Sequence, residues 1–160
     1  MKAASAIAVL AMVTILAGCA DQGPGMTFRP GAKDGLALTL SISKATPCLG
    51  ERVQAVVTAA NTSKKPIEFS ADTTAPVLLD VWRPVGQSWE LFNRLPGAAR
   101  TRLTTWRLEP GQVKVFHLTM DITPDWPTAE TMRVTAQLNG RTDLTAEVLL
   151  RVQPRRQAGS

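Results

Sequence analysis

Few side chains in this sequence have the types and spacing that catalysis or metal binding requires. The chain has one histidine, His117, and two cysteines, Cys19 and Cys48. A catalytic histidine needs a nucleophile or an orienting acid within reach, and no Ser-x-Gly elbow or neighbouring cysteine supplies one. The histidine and the cysteines are too few for a structural zinc site, and the carboxylates are scattered. We therefore predict that the chain is not an enzyme and binds no metal or cofactor.

The segment Leu16-Ala17-Gly18-Cys19 has the spacing of a bacterial lipobox. An apolar residue followed by small residues lets a lipoprotein signal peptidase reach the bond before the cysteine, whose thiol is then diacylated. Lys2 supplies the charged start, and the apolar stretch after it is shorter than the about 20 residues that span a bilayer. We therefore predict a signal peptide over residues 1–18, removed to leave an acylated Cys19.

The segments on either side of the predicted domain have the composition of a tether and a tail. Residues 19–34 carry the acylated cysteine and are rich in Gly and Pro, and residues 154–160 are polar. About two acyl chains already anchor a protein stably to a membrane. Ala20, rather than Asp, after the cysteine favours the outer membrane of a Gram-negative cell. We expect a lipid-anchored protein of the bacterial envelope that faces the periplasm from the outer membrane.

Cys48 is the remaining cysteine once Cys19 is acylated. An odd cysteine in an oxidising compartment indicates a free thiol or an intermolecular bond. Cys48 follows Pro47 in a predicted turn, which would allow exposure. A small, half-buried residue without a redox role is the alternative, and the sequence leaves both open.

The segment between residues 83 and 107 has the composition of an interaction surface. It contains five arginines and one acidic residue, with aromatic residues between them. Arginine and aromatic side chains are enriched at interface hot spots. Because residues 92–102 alternate poorly, we predict a long loop there that contacts a protein partner, through Arg94, Arg100 and Arg102. The alternative is that the tryptophans pack in the core and the arginines are solvated.

Trp126 lies in Thr-Pro-Asp-Trp-Pro and is predicted to be an exposed aromatic residue. It is a candidate for a second contact with a partner, or for a cap on the end of the domain. The membrane and an envelope protein are the expected partners, and nucleic acid is not expected for an exported lipoprotein.

Most of the chain has the pattern of a β-protein. Its 160 residues, net charge of +5 and hydrophobic content of 44% exclude a disordered chain and fit one domain. Apolar residues alternate with polar ones in segments that begin at Leu36, Val53, Val77, Phe116, Met132 and Leu144. Asn139-Gly140 is typical of a tight hairpin. We predict an all-β fold over residues 35–153, an antiparallel immunoglobulin-like β-sandwich of about seven or eight strands.

Several short motifs occur in an order that is known from one family. They are Gly50-Glu51, Asn61-Thr62-Ser63, Leu79-Asp80-Val81-Trp82 before Gly86, and Leu108-Glu109-Pro110-Gly111-Gln112 before Phe116. Over about 36–152 this order resembles the intracellular proteinase inhibitor family (BsuPI type), which has an immunoglobulin-like sandwich. Met132 stands where the family has an aromatic residue. The resemblance carries over no inhibitory residue.

Two functions are compatible with these features. The first is a lipid-anchored, non-catalytic binding or accessory module of the bacterial envelope, which presents its sandwich loops to a protein partner. The second, implied by the resemblance, is a proteinase inhibitor that inserts an exposed loop, over residues 92–102, into a protease cleft.

Overall fold

The structure, a computed structural model, describes residues 30–73, 75–97 and 101–155. These residues form ten β-strands and no helix. The strands are β1 Gly31–Lys33, β2 Leu36–Ile42, β3 Arg52–Asn61, β4 Ile67–Thr73, β5 Val77–Val85, β6 Ser88–Leu95, β7 Thr101–Leu108, β8 Val113–Asp121, β9 Thr131–Leu138 and β10 Arg141–Arg151.

Two antiparallel sheets enclose a single apolar core. The first sheet has the strand order β1-β2-β3-β8, the second has β10-β9-β5-β6, and β4 pairs with β7 in a separate ribbon. Alternate residues of the central strands are fully buried between the sheets, including Leu38 and Val57 of the first and Leu79 and Val134 of the second. Strands whose apolar residues alternate bury one face in this way. The predicted antiparallel β-sandwich is therefore confirmed.

The structure has more strands than the predicted seven or eight. The added strands are β1, β4, β6 and β7, of which β1 and β6 lack a clear alternation of buried and exposed residues. β6 is an edge strand whose first four residues are all exposed. β4 and β7 pair only with each other among the described strands. A strand that does not bury a whole face needs no regular apolar pattern.

β1 lies within residues 19–34, the segment predicted to be a tether. Lys33 Nζ lies 2.9 Å from the Asp143 carboxylate near the start of β10. The Arg141 guanidinium also bonds this carboxylate, and together the two cations hold the pKa of Asp143 well below its usual range. Gly31 lies so close to Thr145 that a Cβ atom at this position would collide with the Thr145 carbonyl oxygen. The folded domain therefore includes the end of the predicted tether.

The hairpin predicted at Asn139-Gly140 is present between β9 and β10. Leu138 pairs with Arg141, which leaves these two residues as the loop. Gly140 has a φ of 89°, a left-handed conformation that glycine adopts without strain. The backbone of Asn139 is not left-handed, and this residue contributes through its side chain. Its Nδ2 donates a hydrogen bond to the Ala75 carbonyl oxygen at 3.1 Å and so ties the hairpin to the chain before β5.

The chain between β2 and β3 is hydrogen-bonded to the segment that follows β10. Gln153 N–H donates to the Pro47 carbonyl at 2.8 Å, and Leu49 N–H donates to the Gln153 carbonyl at 3.1 Å. The Glu51 carboxylate accepts hydrogen bonds from the Cys48 N–H and from Lys44, which lower the pKa of Glu51. These bonds fix Cys48 at one end of the sandwich.

Candidate binding surface

Several of the predicted site residues lie outside the described residues. They are the lipobox residues Leu16, Ala17 and Gly18, the acylation site Cys19, and Arg100. Arg102 lies in β7, but its side chain is not described. Acylation at Cys19 and partner binding by Arg100 and Arg102 therefore stay predictions.

The prediction of a long loop over residues 92–102 is wrong. β6 continues to Leu95 and β7 begins at Thr101, so that the connection between them spans residues 96–100. The pairing of β5 with β6 shifts between Val81 and Trp82, which leaves Phe92 of β6 without an opposite residue. Such a bulge breaks the alternation of side chains, so that the sequence pattern of this part of β6 resembles that of a loop.

Arg94 has a structural partner. Its Nε and Nη2 donate to the two oxygens of Asp80 at 2.6 and 2.8 Å. Asp80 is only 3% exposed, and this bidentate bond raises the pKa of Arg94. A buried carboxylate is costly without a hydrogen-bonded cation. The first role of Arg94 is therefore to neutralise Asp80, and its predicted role in partner binding stays a prediction.

Trp126 is buried, and the prediction that it is exposed is wrong. Its side chain is 3% exposed, and its ring meets Phe92 edge to face with centroids 5.4 Å apart. The preceding turn closes back on itself, because Trp126 N–H donates to the Thr123 carbonyl at 3.1 Å. This fold of the loop directs the ring into the core, so that Trp126 caps the end of the sandwich rather than contacting a partner.

Cys48 is not a free thiol. It is disulfide-bonded and 3% exposed, and the described residues contain no free cysteine. The alternative of an exposed free thiol is therefore wrong, because the disulfide consumes the thiol and the hydrogen bonds around Pro47 and Gln153 hold Cys48 inside the fold.

The outer face of the second sheet carries a surface that we call the Trp–Arg face, formed by Trp82, Trp89, Leu91, Arg133 and Leu149. Strand register creates it: Leu149 is opposite Arg133, Arg133 is opposite Trp82, and Trp82 is opposite Leu91. These four residues form one row across all four strands. Trp89, two positions before Leu91, extends the row. Trp89, Leu91 and Leu149 are between 38% and 41% exposed.

Arg133 lies between the two tryptophan rings of this face. Its guanidinium carbon is 4.7 Å from the centre of the Trp89 ring and 5.6 Å from that of Trp82. The Trp82 ring is held in place because Nε1 donates to Thr135 Oγ1 at 2.9 Å. Cation–π contacts of this kind stabilise an arginine without neutralising its charge.

Arg133 keeps an uncompensated positive charge. It makes no salt bridge within the part of the chain that the structure describes. Its Nε is buried and has no hydrogen-bond partner there. The Trp–Arg face therefore combines exposed apolar surface with a cation that is already oriented and available to an anion.

Trp82, Leu91, Arg133 and Leu149 are not among the site residues that the sequence predicts. A signal was present, because Trp82 and Leu149 occupy the outward-facing positions of strands whose alternate residues are buried. An aromatic or large apolar residue at such a position has no core to enter. The sequence does not reveal the strand register that brings these residues into one row.

The described residues contain no other feature typical of a reactive site. No group of three His, Cys, Asp or Glu side chains among them is arranged to hold a metal ion. Within the same residues, no helix has the length and hydropathy needed to cross a bilayer.

Comparison with known proteins identifies similar folds but no family. No family model matches the chain, and no curated protein matches it. Among solved structures, the chain is similar to Spo0M, a sporulation control protein from Bacillus subtilis, with 15% identity and a TM-score of 0.54. The match covers 76% of this chain and 50% of Spo0M, so the chain spans half the length of that protein. This likeness shows a shared all-β fold.

Two further similar structures are enzymes. A β-glucosidase from Erythrobacter marinus matches with 14% identity and a TM-score of 0.46, over 76% of this chain and 15% of the enzyme. A mutant β-glucosidase from Listeria innocua matches with 11% identity and a TM-score of 0.47, over 76% and 16%. The prediction that the chain is not an enzyme is therefore wrong as an exclusion, since enzymes are among the similar structures. At this identity they assign no activity or substrate.

Proposed function

We propose that this protein is a lipid-anchored binding module of the bacterial envelope that holds a protein partner through the Trp–Arg face. The observation that carries the proposal is the row of Leu149, Arg133, Trp82 and Leu91 across the second sheet, with Trp89 beside it. The face replaces the loops as the expected contact surface, because Trp126 is buried and Arg94 is bonded to Asp80.

The composition of the face favours a protein partner of defined chemistry. Trp and Arg are the residues most enriched at interface hot spots, where apolar neighbours exclude water around them. The unpaired charge of Arg133 favours a carboxylate on the partner. The exposed Trp89 and Leu91 favour apolar partner side chains around that carboxylate. The expected partner therefore presents an acidic residue surrounded by apolar ones. A rigid sheet adds to affinity, because little conformational entropy is lost when its side chains bind.

Site-specific crosslinking in the native envelope tests the face. A photoreactive amino acid at Leu91 should yield a discrete adduct with one envelope protein, whereas the same group at Leu103, which is 75% exposed on β7, should not. Adding Arg133→Glu should reduce the Leu91 adduct at least about tenfold, because it places like charges at a hot spot. Equal adducts at both positions, or an adduct insensitive to Arg133→Glu, would contradict the proposal.

The lipid anchor is proposed from the lipobox at Leu16–Cys19. The mature protein should have an N-terminal Cys19 whose mass includes the acyl chains, and Cys19→Ala should move it from the membrane fraction to the soluble fraction. Cys48 is disulfide-bonded, and the sequence contains one other cysteine. A thioether-linked sulfur cannot also form a disulfide, so the anchor requires that Cys48 pair with a cysteine of another molecule. Recovery of a Cys19–Cys48 disulfide by peptide mapping would therefore exclude the anchor.

Membership of the BsuPI-type inhibitor family remains a second proposal, supported by the order of the turn motifs. The structure removes one of its supports, because the long loop expected over residues 92–102 is replaced by β6, a connection over 96–100, and β7. Under this proposal the connection enters a protease cleft. Its cleavage by envelope proteases without inhibition of any of them would exclude this function.

A further inference from the structure

We propose that the edge of β8 that pairs with no described strand, together with the groove beside it, binds an extended segment of a partner protein by strand addition. This site is separate from the Trp–Arg face, since β8 belongs to the first sheet and the face belongs to the second. The proposal therefore goes beyond the function proposed above and can fail independently of it.

β8 ends the first sheet and pairs with β3 alone among the described strands. Its pairing with β3 runs from Val113 to Asp121, so that an edge of about nine residues is available on the other side. The backbone N–H and C=O groups along such an edge can pair with another strand. Domains that bind peptides by strand addition use this kind of edge for affinity and adjacent pockets for specificity.

A groove runs along this edge. It has a volume of about 380 Å³ and is lined on one side by the four consecutive residues 115–118 of β8. Consecutive strand residues point to opposite faces, so a groove that touches all four must lie at the strand edge rather than on one face. Its other wall is formed by residues 75–77 at the start of β5 and by Pro96 after β6. The volume is within the range of about 300–1,000 Å³ that is typical of ligand sites.

Burial along β8 shows that its edge is incompletely covered. Phe116 and Leu118 point to the core side but remain partly exposed, whereas Val57 and Ala55, their partners on β3, are fully buried. On the outer face Val115 is 51% exposed. An added strand would cover apolar side chains on both sides of the edge, which is favourable at roughly 25 cal/mol per Å² of apolar surface buried.

The charges along β8 favour a foreign segment over a second copy of this chain. Lys114 lies 5.0 Å from the centre of the Trp106 ring and has no carboxylate partner within the described ranges. The one acidic residue of β8, Asp121, is bonded to Arg52 at 2.9 Å. Asp121 also faces the outer side of β8 with Val115, whereas Lys114 faces the core side with Phe116, so a second β8 added to the same sheet would bring no carboxylate to Lys114. The expected occupant is an extended apolar segment with an acidic residue at one end.

A synthetic peptide provides the test. The probe is acetyl-Glu-Val-Thr-Leu-Thr-Val-Thr-amide, titrated into the full chain and followed through the backbone amide signals of β8 by NMR. Two further peptides carry N-methyl groups on alternate residues. The first is methylated on its Val and Leu residues and the second on its Thr residues. Each set of N-methyl groups removes the backbone N–H donors along one edge of the peptide. Strand addition requires that one of them lose binding at least tenfold while the other retains it.

A matched pair of variants locates the site. Val115→Lys should weaken binding of the unmethylated peptide at least tenfold, because it places a charge at the groove, whereas Leu103→Lys on β7 should leave the affinity unchanged. Trp89→Ala should also leave it unchanged, which separates this site from the Trp–Arg face. Both lysine variants change exposed residues, and their unfolding temperatures show whether the fold is intact.

Four results would overturn the proposal. One is the absence of peptide binding up to millimolar concentration, and a second is equal binding of the two N-methylated peptides. The third is unchanged affinity in Val115→Lys. The fourth is self-association of the wild-type chain that Val115→Lys abolishes, because the occupant of the edge would then be a second copy.

Discussion

Asp80 shows how one buried charge can determine the role of its neighbours. It lies on the outer side of β5, yet it is 3% exposed, and the Arg94 guanidinium covers its carboxylate. A carboxylate removed from water requires a cation with good hydrogen-bond geometry, and the fork of Arg94 supplies two bonds. Arg94 is therefore part of the structure beside the Trp–Arg face, and substitutions there will affect stability before they affect binding.

Arg94→Ala should destabilise the fold by about 2–3 kcal/mol, less than the about 3–5 kcal/mol for fully buried pairs, because the Arg94 side chain is half exposed. The control is Arg83→Ala, which removes an exposed pair with Glu90 on the same two strands and should cost less than about 1 kcal/mol. Chemical unfolding measures both. Equal losses for the two variants would show that Asp80 does not depend on Arg94.

β1 shows how a short element can be specified without a sequence pattern. It has three residues, and its position is set by close contact with the start of β10 and by the bonds of Lys33 and Arg141 to Asp143. A side chain at Gly31 would meet Thr145 and Leu144. Glycine is needed at position 31 because β1 and β10 approach each other closely. The Gly and Pro content of residues 19–34 indicates a tether and does not reveal this contact.

Gly31→Ala should displace β1 and destabilise the domain by about 1 kcal/mol, at the lower end of the cost of overpacking. Gly97→Ala is the control, because a Cβ atom there would lie 3.7 Å from its nearest neighbour, the Arg94 carbonyl oxygen. Thermal unfolding gives the stability of each variant, and amide exchange reports whether β1 stays paired with β2. Unchanged protection of the Leu38 amide, which faces β1 opposite Gly31, in Gly31→Ala would show that β1 is not held by this contact.

The whole molecule depends on aromatic residues that close the gaps between its sheets and its ribbon. Trp126 packs on Phe92 at one end of the sandwich, and Trp106 of the ribbon packs on Phe116 of the first sheet with centroids 6.2 Å apart. A large aromatic side chain fills such gaps with many contacts. Trp89, by contrast, lies on the outside of the second sheet and joins no layers.

Trp126→Ala should therefore cost about 3–5 kcal/mol, because it leaves a cavity between the sheets. Trp89→Ala should cost about 1 kcal/mol or less, since it removes a cation–π contact on an exposed face. Denaturant unfolding monitored by circular dichroism compares the two variants. If Trp89→Ala proved the more destabilising, the Trp–Arg face would be a structural element rather than a binding surface.

Local patterns in the sequence determined the architecture and the hairpin. Alternating segments such as Leu36–Ile42 and Met132–Leu138 are stable in water only when their apolar faces are buried against each other. Gly140 permits the turn that joins β9 to β10. Such preferences act over a few residues and can be recognised without knowledge of the partner strand. The lipobox is a local signal of the same kind and stays a prediction.

Only the tertiary structure decided which side chains are available for binding. Trp126 and Trp89 are both tryptophans near polar residues, yet one caps the core and the other lies on an outer face. Their exposure depends on register and on packing between strands that are distant in sequence. Arg94 and Arg133 differ for the same reason, because only the strands opposite them determine whether a carboxylate or two aromatic rings lie within reach.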